Sequence, residues 1–329
     1  MFSLMFLMSF HIALGQYQLR GVERVEINST TSLMADTCTL HLPAMMRGQA
    51  LDVEKVIKRG GKVTVRLGYD NDLRTEYVGY VKAIKPNAPM VIECEDALYL
   101  TRRDIPSKVF QNTTAEEVAK YVVDELNKQL SKDLQLSFKS SANGFQFRTF
   151  TIHQAQGFEV LDELRQQTGL AIFARENTLH LHPQFGYNAG QEVIYDFGQN
   201  LEDGSSLEYT LAEQYKVLVK VVGKDAKGKK VEAEAGEKGG DVRTLNRPGI
   251  SDYNTLAKVA KEVLKQTQYE GYRGAVRGWL QPYCEVGYSA KIKDRGYPER
   301  EGKYYVTGVQ TLFSSQGGIR TVSLGLKLS

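Results

Sequence analysis

One strand pattern occurs twice in this chain, once near each end, and it constrains the fold more than any other feature. Residues 62–67 (Lys-Val-Thr-Val-Arg-Leu) run into a polar turn and then Tyr77-Val78-Gly79-Tyr80-Val81. A second turn at Pro86-Asn87 leads to Val91-Ile92-Glu93-Cys94. Near the other end, residues 288–293 (Tyr-Ser-Ala-Lys-Ile-Lys) run into the polar stretch 294–303 and then Tyr305-Val306-Thr307-Gly308-Val309. A Gly-rich turn at Gln316-Gly317-Gly318 leads to Thr321-Val322-Ser323-Leu324. Period-two alternation between turns marks half-buried antiparallel strands. The shared core is strand, long polar turn, Tyr-Val-x-x-Val, turn, strand. It predicts two small related β-barrels or sandwiches in which residues 62–94 match 288–324, Tyr77 matches Tyr305 and Val81 matches Val309. Two unrelated meanders built from common strand residues remain the alternative.

Length and charge narrow the class. The 329 residues suffice for two or three domains, and 42% hydrophobic with 25% charged residues is ordinary for a globular protein. A net charge of +3 implies no strong polyanion-binding field, so nucleic-acid binding is not favoured. Eighteen tyrosines against one tryptophan fit a strand-rich chain. Cys38, Cys94 and Cys284 are far apart and form no Cys-x-x-Cys, which points to buried, reduced thiols rather than a disulfide framework. The opening Met1–Met8 run has the apolarity of a signal core, but no Lys or Arg precedes it. Phe10, Ile12 and Leu14 then alternate as a first strand, and Met8 as the true start accounts for both features. The run is too short to span a bilayer, and nothing later comes closer.

From Phe10 to Leu100 the grammar is β. Val22, Val25 and Ile27 lead to a predicted turn at Asn28-Ser29-Thr30, and Cys38, Leu40 and Leu42 alternate up to Pro43. The middle third changes character. Thr114-Ala115-Glu116-Glu117 is a capping box, followed by an apolar face of Ala115, Val118, Ala119, Val122, Val123, Leu126 and Leu130. A strand is expected at 134–138. A second helix is expected from about Gly157, with Phe158, Leu161 and Leu164 inward and Gly169 as its cap. A hairpin follows, with strands at 170–174 and 179–183 and a turn at Glu176-Asn177. After Gly204-Ser205-Ser206 strands resume with Val217, Val219 and Val221. The glycine-rich, mixed-charge residues 223–249 read as a mobile loop around one short strand, most mobile at 224–247. Ser251 or Asp252 then caps a helix carrying Leu256, Val259, Ala260, Val263, Leu264 and Thr267 on one face. The fold class is therefore mainly β with an α+β insert, two small related antiparallel β-barrels flanking a small α/β domain. The expected division is 1–100 for the first barrel, with 1–8 in question as a native start. The insert covers 101–205, and the second barrel, with its embedded helix and mobile loop, covers 206–329.

Catalytic patterns are weak. His180-Leu181-His182 puts two imidazoles on one strand face, a possible metal pair with no third ligand nearby in sequence. Glu93, Glu95 and Asp96 are close enough for paired acid–base work, but acids at the end of an exposed strand look the same. No Gly-x-x-x-x-Gly-Lys-Ser/Thr occurs, and no Gly-x-Gly-x-x-Gly leads from a strand into a helix. Lysines at 224–230 are balanced by acids at 232–237, a solvated loop rather than a nucleic-acid patch. The sequons at Asn28 and Asn112 matter only in a eukaryotic secretory protein. The residues thus nominate no catalytic, cofactor or metal site.

The order β unit, α/β insert, β unit with helix resembles the late-control-D-type central baseplate hub proteins of contractile-tailed phages. These are similar to the N-terminal hub region of VgrG spike proteins. The matching passages are Val22–Ile27 through Leu40-His41-Leu42-Pro43, the Val78-Gly79-Tyr80-Val81 strand, residues 158–164 followed by Thr168-Gly169-Leu170-Ala171, and Gly287 with Gly302–Val309. Together they span about residues 16–329. The resemblance implies a structural homotrimer whose six similar barrels form a ring, meeting a sixfold tail tube on one side and a threefold spike on the other. Partners would be further copies of the chain, the tube and spike proteins and the tape-measure protein. The location would be the tail baseplate of a virion or prophage particle assembled in the host cytoplasm. Nothing follows the second barrel, so the spike is expected to be a separate protein. A contractile injection or type VI secretion hub is the near alternative. A cell-wall hydrolase would need two opposed carboxylates or a metal cluster. A carbohydrate- or receptor-binding tail protein would need an exposed aromatic platform, and the single tryptophan, Trp279, fits a core anchor at least as well.

Overall fold

The computed structural model describes residues 7–43, 45–46, 49–50, 57–86, 89–202, 205–211, 216–225 and 227–329. The opening apolar run up to Phe6 and the turn residue Asn87 lie outside them. Alternating apolar residues build a first β unit from β1 (Met8–Leu14), β2 (Tyr17–Gln18), β3 (Arg24–Thr30), β4 (Thr37–Leu42), β5 (Met45–Met46), β6 (Gln49–Ala50), β7 (Lys62–Tyr69), β8 (Asp72–Lys85) and β9 (Met90–Glu95). The ladder runs β3-β4-β9-β8-β7-β1. Val25 and Ile27 at one end and Ile12 and Leu14 at the other are buried in the same core as Leu40, Val63, Val65 and Ile92. A sheet whose two end strands share one core has curled into a barrel.

The central segment carries β10 (Asp104–Ile105), β11 (Lys108–Thr114), α1 (Ala115–Asn127), β12 (Ser137–Ser140), β13 (Gln146–Ile152), β14 (Ala155–Gln156), α2 (Gly157–Thr168), β15 (Ala171–Arg175) and β16 (Thr178–His182). The capping box is formed: the Glu117 N–H donates to Thr114 Oγ1 (3.2 Å), and the Thr114 N–H donates to Glu117 Oε2 (3.0 Å). α2 ends at Gly169, whose φ of 77° a side chain would resist. The strand expected from residue 134 starts three residues later. Lys132–Leu134 forms a short 3₁₀ turn, and the Asn127 amide holds both polar groups of the Leu136 backbone at 2.8 Å. β11 and β13, which pair with each other, were not legible in the sequence.

The last third holds β17 (Glu192–Asp196), β18 (Ser206–Thr210), β19 (Val217–Lys224), β20 (Lys230–Gly236), β21 (Asp241–Asn246), α3 (Tyr253–Thr267), β22 (Gly271–Trp279), β23 (Ser289–Lys293), β24 (Gly302–Ser314) and β25 (Gly317–Lys327). The supposed loop at 224–247 is mostly strand: β19 pairs with β20 on one side and β21 on the other. Its charges sit on the outer face, where Lys220 bridges Glu232 and Glu234, while Ala233 and part of Val231 and Ala235 turn inward. Apolar residues too few for a core of their own suffice here because α3 covers the sheet with Leu256 and Ala260. This small unit shares its core with α1 and α2 rather than with the strands that follow it. The turn expected at 28–30 is also strand. Thr30 is opposite Gly308 and Asn28 is opposite both Thr37 and Gln310, so two ladders hold the segment extended.

The duplication is present, in a register three residues away from the one expected. In the second unit the ladder runs β18-β22-β25-β24-β23-β17, matching β3-β4-β9-β8-β7-β1 strand for strand. Lys62 lies opposite Tyr80, and Ser289 opposite Tyr305. One residue is bulged out between Val81 and Ala83, and one between Val306 and Gly308. The Gly60 N–H donates to Val81 O (2.8 Å) and the Val81 N–H to Gly61 O (2.9 Å). The Gly287 N–H likewise donates to Val306 O (3.1 Å) and the Val306 N–H to Tyr288 O (2.9 Å). Gly60 and Gly287 both have positive φ, 81° and 90°. Tyr80 therefore matches Tyr305 and Val81 matches Val306. One strand departs from the copy: β1 runs antiparallel to β7, whereas β17 runs parallel to β23.

Candidate assembly surface

The two β units meet edge to edge. β3 pairs with the C-terminal half of β24 from Thr30↔Gly308 to Arg24↔Ser314, so both units belong to one continuous sheet. Phe313 and Leu280, from the second unit, are buried in the core of the first. Behind this seam lies the least exposed ion pair among the described residues, with Arg320 Nη2 2.7 Å from Glu76 Oε1 and their side chains 1% and 6% exposed. The Arg320 guanidinium also lies 4.9 Å from the Tyr283 ring centre. A charge on the inward phase of a strand, between Gly318 and Val322, was the sequence signal for this contact.

A cavity of about 820 Å³ opens between the seam and the β15–β16 hairpin. Ile27, Thr75, Arg175, His180, Glu285 and Thr311 are among its walls. Arg175 Nη1 donates to Asp36 Oδ2 at 2.8 Å, and Asp96 Oδ2 accepts from the Asp36 N–H at 2.9 Å. Burial raises both carboxyls above the usual Asp range, Asp96 the more, with the Asp36 charge adding to its shift. Tyr283 donates to Glu285. Arg175, Asp36, Asp96, Tyr283 and Glu285 thus have partners, which suits a packed joint between units better than a reactive centre.

The histidines do come together. His180 Nδ1 and His182 Nε2 are 3.0 Å apart, and His182 Nδ1 is 2.7 Å from Ser141 Oγ. Phe173 stacks on His180 with the rings 4° from parallel. Burial, then the neighbouring His182, pushes His180 down to about 4, so its ring is neutral near pH 7. Among the described residues no cluster of three His, Cys, Asp or Glu side chains could hold a metal. The three acids of the β9 end separate. Glu93 pairs with Lys85 at the surface. Glu95 is gripped by Arg102 through two 2.7 Å bonds and by Lys82 at 2.8 Å. Asp96 caps the turn at Ala97–Thr101. The three cysteines are free and buried, with Cys38 directly opposite Cys94. Trp279, whose sequence context suits a core anchor at least as well as a surface platform, is 52% exposed because Val276, Gly278 and Leu280 occupy the inward phase of that stretch.

No protein-family model matches the chain, and no curated protein does. Solved structures do. A tail protein from Neisseria meningitidis MC58 superposes with a TM-score of 0.67 at 14% identity, covering 98% of this chain and 96% of its own. The prophage MuSo2 43 kDa tail protein from Shewanella oneidensis gives 0.60 at 16% identity over 96% and 95%. The fold is that of a phage tail protein. An E. coli type VI secretion system component, described as similar to T4 bacteriophage tail proteins gp27 and gp5, gives 0.57 at 11% identity over 97% and 77%. This tail-protein fold is mainly β, as expected, and among the described residues no helix is long and apolar enough to cross a membrane.

Proposed function

We propose that the chain is a structural baseplate hub protein, three copies of which close into a ring of six similar β units. The observation that carries this reading is the register-matched repeat, joined edge to edge within one chain. A head-to-tail contact of that kind repeats from copy to copy, and it closes into a ring when its rotation is a whole fraction of a turn. Three chains would offer six near-equivalent surfaces to a tail tube and a threefold face to a central spike, with the tape-measure protein as a further partner. The place of action would be the tail baseplate of a virion or prophage particle, assembled in the host cytoplasm. The two β units would be separate domains around the central one, with the first border near residue 100 and the second, expected near 205, drawn back to just before β17 at residue 192. We assign no catalytic residue, metal or cofactor: Glu93, Glu95 and Asp96 are engaged in separate contacts, and the histidine pair has no third ligand. Likeness to the secretion component favours a second setting, a hub in a phage-like injection machine, with the same geometry.

Sedimentation of the purified protein tests the ring. Trimers are expected at high concentration, or once the cognate spike protein is added, through interfaces of about 1,600 Å² in total. Monomer alone under both conditions overturns the proposal. A dimer does too, because two chains carry four β units and cannot match a sixfold tube.

A further inference from the structure

The internal repeat contains one contact with no counterpart inside the chain. In the second unit the long strand β24 is shared: residues 302–305 pair with β23, and residues 308–314 pair with β3 of the first unit. In the first unit β8 is divided in the same way. Its stretch up to Tyr80 pairs with β7, and residues 83–85, beyond the matching bulge, pair only with β9 among the described residues. The strand matching β3 is β18, which pairs with β22 and forms the far end of the sheet. Among the described residues the sheet therefore presents two complementary open edges, one of each kind that meets at the seam. Open strand edges are templates for pairing with another chain.

We propose that β8 of one copy pairs antiparallel with β18 of the next, in the register of the seam, placing Ala83 opposite Thr210, Ile84 opposite Tyr209 and Lys85 opposite Glu208 of the partner subunit. This assignment deepens the ring reading and rests on it. The register follows from the equivalences. Gly308, Val309 and Gln310 face Thr30, Ser29 and Asn28, and these six correspond to Ala83, Ile84, Lys85, Thr210, Tyr209 and Glu208. The chemistry agrees with it. Where the seam sets two amides side by side, the proposed contact sets exposed Lys85 against exposed Glu208, an opposite-charge cross-strand pair. Leu211, 48% exposed, directly follows β18 and gives the contact an apolar margin. Even the seam's last hydrogen bond has its acceptor in place. The Thr31 N–H donates to Thr307 O at 2.9 Å, and the matching Lys82 O now accepts from Arg59 Nε at 2.8 Å, leaving its second lone pair for the incoming chain.

Cysteine cross-linking tests the register. Each copy in the ring contributes one residue 85 and one residue 208, and the three native thiols are buried. The K85C/E208C variant, oxidised as the assembled protein, is expected to migrate as a covalently closed trimer without reductant. A mixture of the single variants K85C and E208C should stop at covalent dimers. Charge reversal gives a second reading. K85E and E208K should each raise the concentration needed for half-assembly roughly tenfold, and K85E/E208K should restore it, which separates assembly from folding. Wild-type trimers with no cross-link in the oxidised double variant would overturn this edge while leaving the ring standing. A wild-type protein that never trimerises removes both.

Discussion

Where β8 carries Tyr77 and then Gly79, the matching positions of β24 carry Gly302 and then Tyr304. Each unit seats one buried tyrosine over a glycine two residues away on the same face, but the order is reversed. A Cβ at Gly79 would lie 2.4 Å from the Tyr77 hydroxyl, and one at Gly302 would lie 3.0 Å from the Tyr304 hydroxyl. The shared fold therefore fixes the volume available to the pair, not which position fills it. The units also differ in how they seat the hydroxyl. Tyr304 Oη accepts from the Tyr272 N–H at 2.8 Å, while Tyr77 Oη has no hydrogen-bond partner among the described residues. The first core is largely aliphatic, whereas the second draws on Tyr195, Tyr272 and Tyr304.

The sharpest way to break this comparison is to fill both glycines. At Gly79 the new methyl also meets Glu95 O at 2.4 Å, a backbone atom held in the β8–β9 ladder; at Gly302 its nearest neighbours, at 3.0 Å, are the Tyr304 hydroxyl and the flexible Lys327 side chain. Gly79→Ala should cost about 3 kcal/mol and Gly302→Ala about 1 kcal/mol in urea denaturation. Equal losses would mean that the two pockets are not the reversed pair described above.

The hydroxyls give a smaller contrast. Tyr304→Phe leaves the buried Tyr272 N–H without this acceptor and should cost about 1–2 kcal/mol. Tyr77→Phe removes a hydroxyl with no partner and should be neutral or slightly stabilising. The same denaturation series measures both, and a larger loss for Tyr77→Phe would reverse the comparison.

The smallest effect concerns pH. β9 runs on into Glu95 and Asp96, whereas β25 runs on into Gly325, Leu326 and Lys327, with no acid. Asp96, raised by burial and by Asp36, keeps its proton in the folded state at pH values where the unfolded chain has lost it. Its contribution to stability is complete below the ordinary Asp value, 3.8, and is lost as pH rises through the raised folded value. Asp96→Asn cannot titrate, and its one oxygen replaces two that accept from Asp36 and Leu98. It should be less stable than wild type at low pH by about 1 kcal/mol and should close or reverse that gap as pH rises. Parallel pH curves would show that the raised carboxyl does not differ between folded and unfolded chains.

Much of the architecture was legible because local rules decided it. The Thr114–Glu117 box, the Gly169 cap, the Asp252 cap and the Glu176-Asn177 turn depend on neighbours within a few residues, and each is formed. The loop reading of 224–247 failed because the amphipathic α3, later in the chain, supplies the apolar surface that the charged strands lack. The polar joint was hidden for the same reason. Asp36 meets Arg175 and Glu76 meets Arg320 across separations of 139 and 244 residues, and no spacing rule reaches that far.

By itself the sequence determined that both end regions are built of half-buried antiparallel strands, with their relatedness as one of two readings. Period-two alternation fixes which side chains face inward, whatever those strands later pair with. It could not fix how the copies align. Tyr305-Val306-x-x-Val309 matches Tyr77-Val78-x-x-Val81 and, with Ile84 for the last valine, also Tyr80-Val81-x-x-Ile84. The two offsets differ by three residues, and side-chain chemistry scores them almost equally. Only the ladder separates them, because in both units a bulge directly follows the valine held by a left-handed glycine, although the second unit carries a further shift between Tyr304 and Val306. The open edges of β8 and β18 were likewise decided by the tertiary structure alone, since an edge is defined by which strand is missing beside it.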